Sequence, residues 1–197
     1  MAATDMLEEV LAPVRESAVA ALLTAKARAI AAGAEIVAEP VRRDPAGRVK
    51  RQGVLHLPSR GDLAITMDGR TLIQRIEARN VIAFPPVEVR TQSGFTGQIG
   101  PFRWEDAEIR FDFGGRGARP SWPPIRLWFL EWFQPRQSRL QPELSGVVHA
   151  LEGPEDRGDF WQIHLDLGSA PVAAIIALIE TAAETGCARL RIGQVDG

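Results

Sequence analysis

A single cysteine, Cys187, stands among 197 residues, which excludes an internal disulfide framework and any cysteine cage for a metal within one chain. That scarcity fits a reducing compartment. Excess charge of one sign is also missing. Lys and Arg number 23 against 25 Asp and Glu, leaving a net charge of -2 and no field that would draw in phosphate backbones or anionic lipid. Nucleic acid is therefore not expected as a partner. The longest apolar run, Ser17 to Ala34, is half alanine and is broken by Lys26 and Arg28, so it reads as a soluble helix and not as a membrane span. Asp5, Glu8 and Glu9 occupy the place where a secretory leader would be basic, and the expected location is the cytoplasm. Nucleophile signatures are lacking too. Ser59, Ser93, Ser145 and Ser169 have no Gly-x-Ser-x-Gly setting; Ser169 reads as a helix cap, and Cys187 as a buried, inert thiol. His56, His149 and His164 follow no ligand spacing, so neither a metal centre nor a cofactor is expected.

What is present is an α+β pattern. Leu7, Val10, Leu11 and Val14, then Val19, Leu22, Leu23 and Ile30, repeat at helical spacing. Pro13 between the two sets predicts a kink or two consecutive helices, and Gly33 the stop. From Glu35 to Phe113 short strands follow one another around tight turns. Asp44-Pro45-Ala46-Gly47 suits a type I turn, and Asp68-Gly69 suits a two-residue hairpin. Ile109, Phe111 and Phe113 alternate with Arg110 and Asp112, the mark of a half-buried strand. The expectation is an antiparallel meander forming a cupped sheet or partial barrel. "SGFTGQIGPF" has Gly94, Gly97 and Gly100 at three-residue intervals, but no helix follows as a phosphate cradle would require; a flexible hairpin connection is expected. "VRRDPAGRVKR" gathers five basic residues without interleaved aromatics, which suits a protected edge better than a nucleic-acid contact.

The chain reads as a single domain, 1–197, with a possible subdomain boundary near 114–124, where "GGRGARPSWPP" separates the helix and meander (1–113) from the rest (125–197). Residues 144–193 read as ββαβ. Val172, Ile175, Ile176 and Ile179 share a helix face, Gly186 ends it, and the flanking strands should run parallel through a crossover. If that helix covers one sheet face, Trp161, Ile163, Leu165, Leu190 and Ile192 point toward it. Period-two alternation then sends His149, Gln162, His164, Asp166, Arg189 and Arg191 to the opposite face. Such a set offers His149, His164 and Asp166 for acid–base work, and Gln162, Arg189 and Arg191 to bind an anion. Read without function, it is the solvated side of an open sheet.

"PSWPPIRLWFLEWFQPR" (residues 120–136) holds three of the five tryptophans. As a helix it puts Ile125, Trp128, Phe129 and Trp132 on one face but is apolar nearly all round. Burying its seven large apolar side chains is worth on the order of 10–20 kcal/mol. The segment is therefore a core plug, a subunit interface or a ligand pocket lined by Trp128 and Trp132. The leading expectation is a non-enzymatic binding or interaction module, a homo-dimer with a small-molecule ligand. The alternative is a small-molecule enzyme that uses the His/Asp/Arg sheet face on an anionic substrate.

Overall fold

Helical periodicity in the first thirty residues becomes one continuous helix, α1 (Ala3–Ala31), in the computed structural model. The residues described are 3–78, 81–91, 94–115, 120–139 and 143–194. Of the two outcomes expected at Pro13, consecutive helices are ruled out. The proline lies inside α1 and removes a single bond, the one to the Glu9 carbonyl, while buried Leu11 and Val14 pack on either side of it. The helix ends as Gly33 requires. At φ +82, its N–H reaches the Ile30 carbonyl at 2.9 Å and the Ala34 N–H reaches that of Ala29 at 3.1 Å, the paired bonds of a Schellman stop.

Beyond α1 the antiparallel strands divide between sheets, and no barrel closes. In chain order they are β1 (Glu35–Ala38), β2 (Arg51–Gln52), β3 (Leu57–Pro58), β4 (Leu63–Met67), β5 (Arg70–Gln74), β6 (Val87–Arg90), β7 (Thr96–Ile99) and β8 (Ala107–Asp112). They are followed by α2 (Pro123–Phe133), β9 (Ala150–Asp156), β10 (Trp161–Asp166), α3 (Ala173–Glu184) and β11 (Arg189–Ile192). A small sheet has the order β1-β4-β5, β2 pairs with β3, and a six-stranded sheet has the order β6-β7-β11-β8-β10-β9. Asp68 (φ +50) and Gly69 (φ +72) make the two-residue turn between β4 and β5. The glycine stretch meets expectation in part. It belongs to an antiparallel hairpin of β6 with β7, but Thr96–Ile99 is itself a strand, which also pairs in parallel with β11. Its glycine serves packing, because a Cβ on Gly97 would come within 3.3 Å of the Ile179 side chain on α3.

β8 is antiparallel to both β10 and β11, so the strands flanking α3 run parallel to each other, as expected, with β8 between them. Because β8 precedes the glycine-rich stretch and β10 and β11 follow it, both sides of residues 114–124 share one sheet. The alternation holds. Ile109, Phe111, Ile163, Leu165, Leu190 and Ile192 are buried in the core that also takes Ile175, Leu178 and Ile179 of α3. Ser169 is not the cap of α3. The residue before the helix is Val172, without a side-chain cap bond, and Ser169 has buried partners elsewhere. No helix among the described residues is long and apolar enough to cross a membrane.

Two contacts of α1 set the geometry that matters below. Leu7, Leu11 and Val14 join the main core, while Leu22 packs with Leu63 of the small sheet. One helix thus braces both sheets. The loop leading from β3 into β4 is carried over the edge of the large sheet, where the Arg60 N–H reaches the His149 carbonyl at 2.9 Å.

Candidate functional site: a carboxylate-lined cleft between the sheets

At that seam His149 is fully buried. It lies just before β9, with its N–H on the Asp166 carbonyl at 2.9 Å. Asp62 sits in the loop before β4, and its Oδ2 is held by the Ile76 N–H at 2.5 Å. Asp166 ends β10 and accepts from the Gly168 N–H at 3.0 Å. Glu39 follows β1 at φ +52, a left-handed conformation that costs a non-glycine residue roughly 1–3 kcal/mol. Its carboxylate offsets that cost by accepting from the Ser145 N–H at 2.5 Å and from the Ser169 hydroxyl.

The three carboxylates close on one imidazole. Nε2 of His149 is 2.9 Å from Glu39 Oε1, and Nδ1 is 2.7 Å from Asp62 Oδ1 and 3.8 Å from Asp166 Oδ1. The fit leaves no slack. Gly168, at φ +52, lies so close that a Cβ would come within 2.2 Å of the His149 ring. Burial works against a charge on His149, but its hydrogen bonds to Asp62 and Glu39 outweigh it and push the imidazole up to about 10. Burial likewise opposes ionisation of Glu39, yet the His149 and Ser169 bonds hold it down at about 2. Asp166 is dominated by burial and goes up to about 6 despite the attraction of His149. The resting arrangement is an imidazolium clasped by carboxylates.

Asp62 and Asp166 also line a cleft of about 340 Å³, whose wall carries Arg42, Arg60 and Arg75 and six carboxylates in all. Arg60 is tied down, with Nη1 donating to the Glu39 carbonyl at 2.6 Å and the guanidinium 4.6 Å from the centre of the Phe133 ring. Arg75 donates to the Glu105 carbonyl at 2.9 Å. Two wall residues, only 3% and 5% exposed, each carry a buried atom without a hydrogen-bond partner among the described residues, Ser59 Oγ and Glu105 Oε2. Buried polar atoms are nearly always paired; Trp104 Nε1 and Arg139 Nη1, outside the cleft, share that status.

The residues expected from sequence are dispersed unequally. His149 and Asp166 come together. His164 lines the same cleft, but its ring is bonded to Gln162 at 2.8 Å and lies 3.4 Å from Asp106, away from the His149 cluster. Gln162 is buried and also accepts from Arg157. Arg189 and Arg191 do not reach the cleft, because β11 is separated from β10 by β8, and Arg191 sits beside Arg110. Trp128 and Trp132 lie on α2, outside the cleft. Trp128 is core, its indole N–H donating to the Ala174 carbonyl at 3.0 Å, and Trp132 is half-buried beneath Arg139 at 4.2 Å. His149 and Asp166 do not face solvent on an open sheet, since the β3–β4 loop covers that edge. Glu39, Asp62, Ser59 and Glu105 carry no motif in the sequence; only the meeting of distant segments reveals them. No family model matches the chain, nor does any curated protein or solved structure.

Proposed function

We propose that the protein is a binding module whose cleft takes a small polar molecule bearing a cationic group. The observation that carries it is the acidic lining of the cleft wall. Charge supports the sign of the ligand. Six wall carboxylates face three guanidiniums; two of those guanidiniums are engaged with backbone carbonyls, and Asp106 and Glu155 are paired with Arg103 and Arg157, so Asp62, Glu105, Glu152 and Asp166 carry the remaining capacity to accept from a cation. An aromatic-lined pocket has less support: Trp128 and Trp132 line a groove of about 270 Å³ between α2 and α3, but Trp128 is buried with its indole N–H committed to the Ala174 carbonyl. Thermal unfolding of the full chain in chelated buffer, with agmatine, putrescine and free amino acids at millimolar concentration, tests the reading. At least one probe should raise the Tm, and Glu152→Ala with Glu155→Ala should remove the shift. No shift with any of them ends it.

Acid–base catalysis is the second reading, favoured by His164 on the cleft wall 3.4 Å from Asp106. It ranks below binding because both ring nitrogens of His149 are already committed to carboxylates. Conversion of a cleft ligand by the wild type, lost in His164→Ala while binding persists, would reverse the order.

A further inference from the structure

The floor of the cleft combines an imidazole with two carboxylates, a donor set that suits more than an organic cation. We propose that His149 Nδ1, Asp62 and Asp166 form a site for a divalent first-row transition cation, with Glu39 orienting the imidazole from behind. The inference deepens the binding reading and rests on the same cleft.

Geometry carries it first. One donor atom from each of the three residues lies within 4.8 Å of the others, and Nδ1 is 2.7 and 3.8 Å from the two aspartate oxygens. Donors each about 2.1 Å from a shared ion sit roughly 3.0–3.4 Å apart, so the set needs only small side-chain adjustment. The three come from separate elements, the β3–β4 loop, the approach to β9 and the end of β10, each held by its own backbone contacts.

The surroundings carry it second. Metal-bound histidines usually donate their other ring N–H to a carboxylate, which sets the tautomer and ring orientation. Glu39 Oε1 stands 2.9 Å from Nε2 and accepts from the Ser169 hydroxyl, while Oε2 accepts from the Ser145 N–H. Three protein donors leave further positions open; Asp62 and Asp166 line the cleft and so give the ion an entry path. Ser59 and Glu105, whose Oγ and Oε2 have no partner among the described residues, line the same cleft wall. The donors also choose the metal. One nitrogen with two oxygens suits Mn²⁺, Fe²⁺, Co²⁺ or Zn²⁺, whereas Ca²⁺ takes oxygen donors alone and Cu(I) takes sulfur. When the ion enters, the proton between Nδ1 and Asp62 leaves to solvent and the nitrogen lone pair replaces it.

Co²⁺ titrated into the EDTA-stripped full chain, followed by visible absorption and calorimetry, tests the site. One ion should bind per chain with d–d bands. Asp166→Asn should weaken binding at least 100-fold, Glu39→Gln about 10–100-fold, and His56→Ala should leave it unchanged. Should the first two variants unfold, Cu²⁺ electron paramagnetic resonance on the wild type replaces them, with the expectation of hyperfine coupling to one imidazole nitrogen that persists in His164→Ala and in His56→Ala. Absence of saturable Co²⁺ binding to the wild type at 1 mM, or full affinity in a folded Asp166→Asn, overturns the proposal. Because the amine screen runs in chelator and this titration runs without amines, either can fail alone.

Discussion

His149 has a carboxylate at each ring nitrogen, so its removal does more than open a space. His149→Ala leaves Glu39 and Asp62 without their shared cation in a buried site, and breaking one partner out of such a network costs about 3–5 kcal/mol. Urea unfolding should show that loss. A midpoint close to wild type would mean that the cluster is hydrated and weak. The same residues set a pH dependence in metal-free buffer. Glu39 lies below its ordinary 4.5, at about 2, so its contribution is present above 4.5 and fades as pH falls toward 2. His149 lies above its ordinary 6.5, at about 10; its contribution is complete below 6.5 and fades as pH climbs toward 10. Asp166, raised from 3.8 to about 6, keeps its proton in the folded state and so adds to the loss of stability as pH rises through that interval. Chemical denaturation between pH 3 and 10 should therefore give a maximum near 4.5, falling on both sides. A monotonic rise to pH 8 would contradict the assigned charges. Period-two alternation grouped His149 with Asp166, but the register pairs Asp166 with Ala150, so His149 meets Asp166 from just before β9 and not through that alternation. Glu39 and Asp62 were invisible to it, because they lie 110 and 87 residues from His149 and no local pattern reports on a partner that distant.

Among the elements, α2 shows how far a helical stripe can be read. Ile125, Trp128 and Phe129 are buried as their spacing implies, but the fourth buried residue is Phe133 and not Trp132. A helix apolar on nearly every side does not announce which edge of its stripe meets the core; packing on α3 decides. Trp128→Ala should cost about 3–5 kcal/mol in thermal or urea unfolding, through the cavity and the lost bond to the Ala174 carbonyl. Leu127→Ala, 64% exposed one residue away, should stay within about 0.5 kcal/mol of wild type. Equal losses at both positions would mean that the face of α2 is assigned wrongly. β7 was hidden for the opposite reason. Two of its neighbours and one of its own residues are glycine, and glycine weakens a strand signal where its absent side chain lets a helix approach.

At the level of the whole molecule, four of the nine exposed large apolar residues among the described ones lie on the small sheet. Leu72 is 67% exposed, and Val37, Met67 and Ile73 are exposed as well, whereas α2 contributes Leu127. Every residue of β5 is exposed, and the strand stands at the end of the β1-β4-β5 order with one edge unpaired. Such edges are usually blunted by charge or proline, yet between Arg70 and Gln74 only Arg70 is charged. Two copies meeting edge to edge about a two-fold axis would pair β5 with β5 and cover Leu72 from both sides, an isologous contact of the commonest symmetry. A net charge of -2 offers little opposition. We therefore expect light scattering at micromolar concentration to give twice the 21.5 kDa of one chain, with Leu72→Lys returning it to the single-chain value and Leu127→Lys leaving the dimer intact. Dissociation by Leu127→Lys alone would move the contact to α2. A single-chain mass that holds on tenfold concentration would end the dimer, leaving the β5 edge as an exposed strand of a monomer.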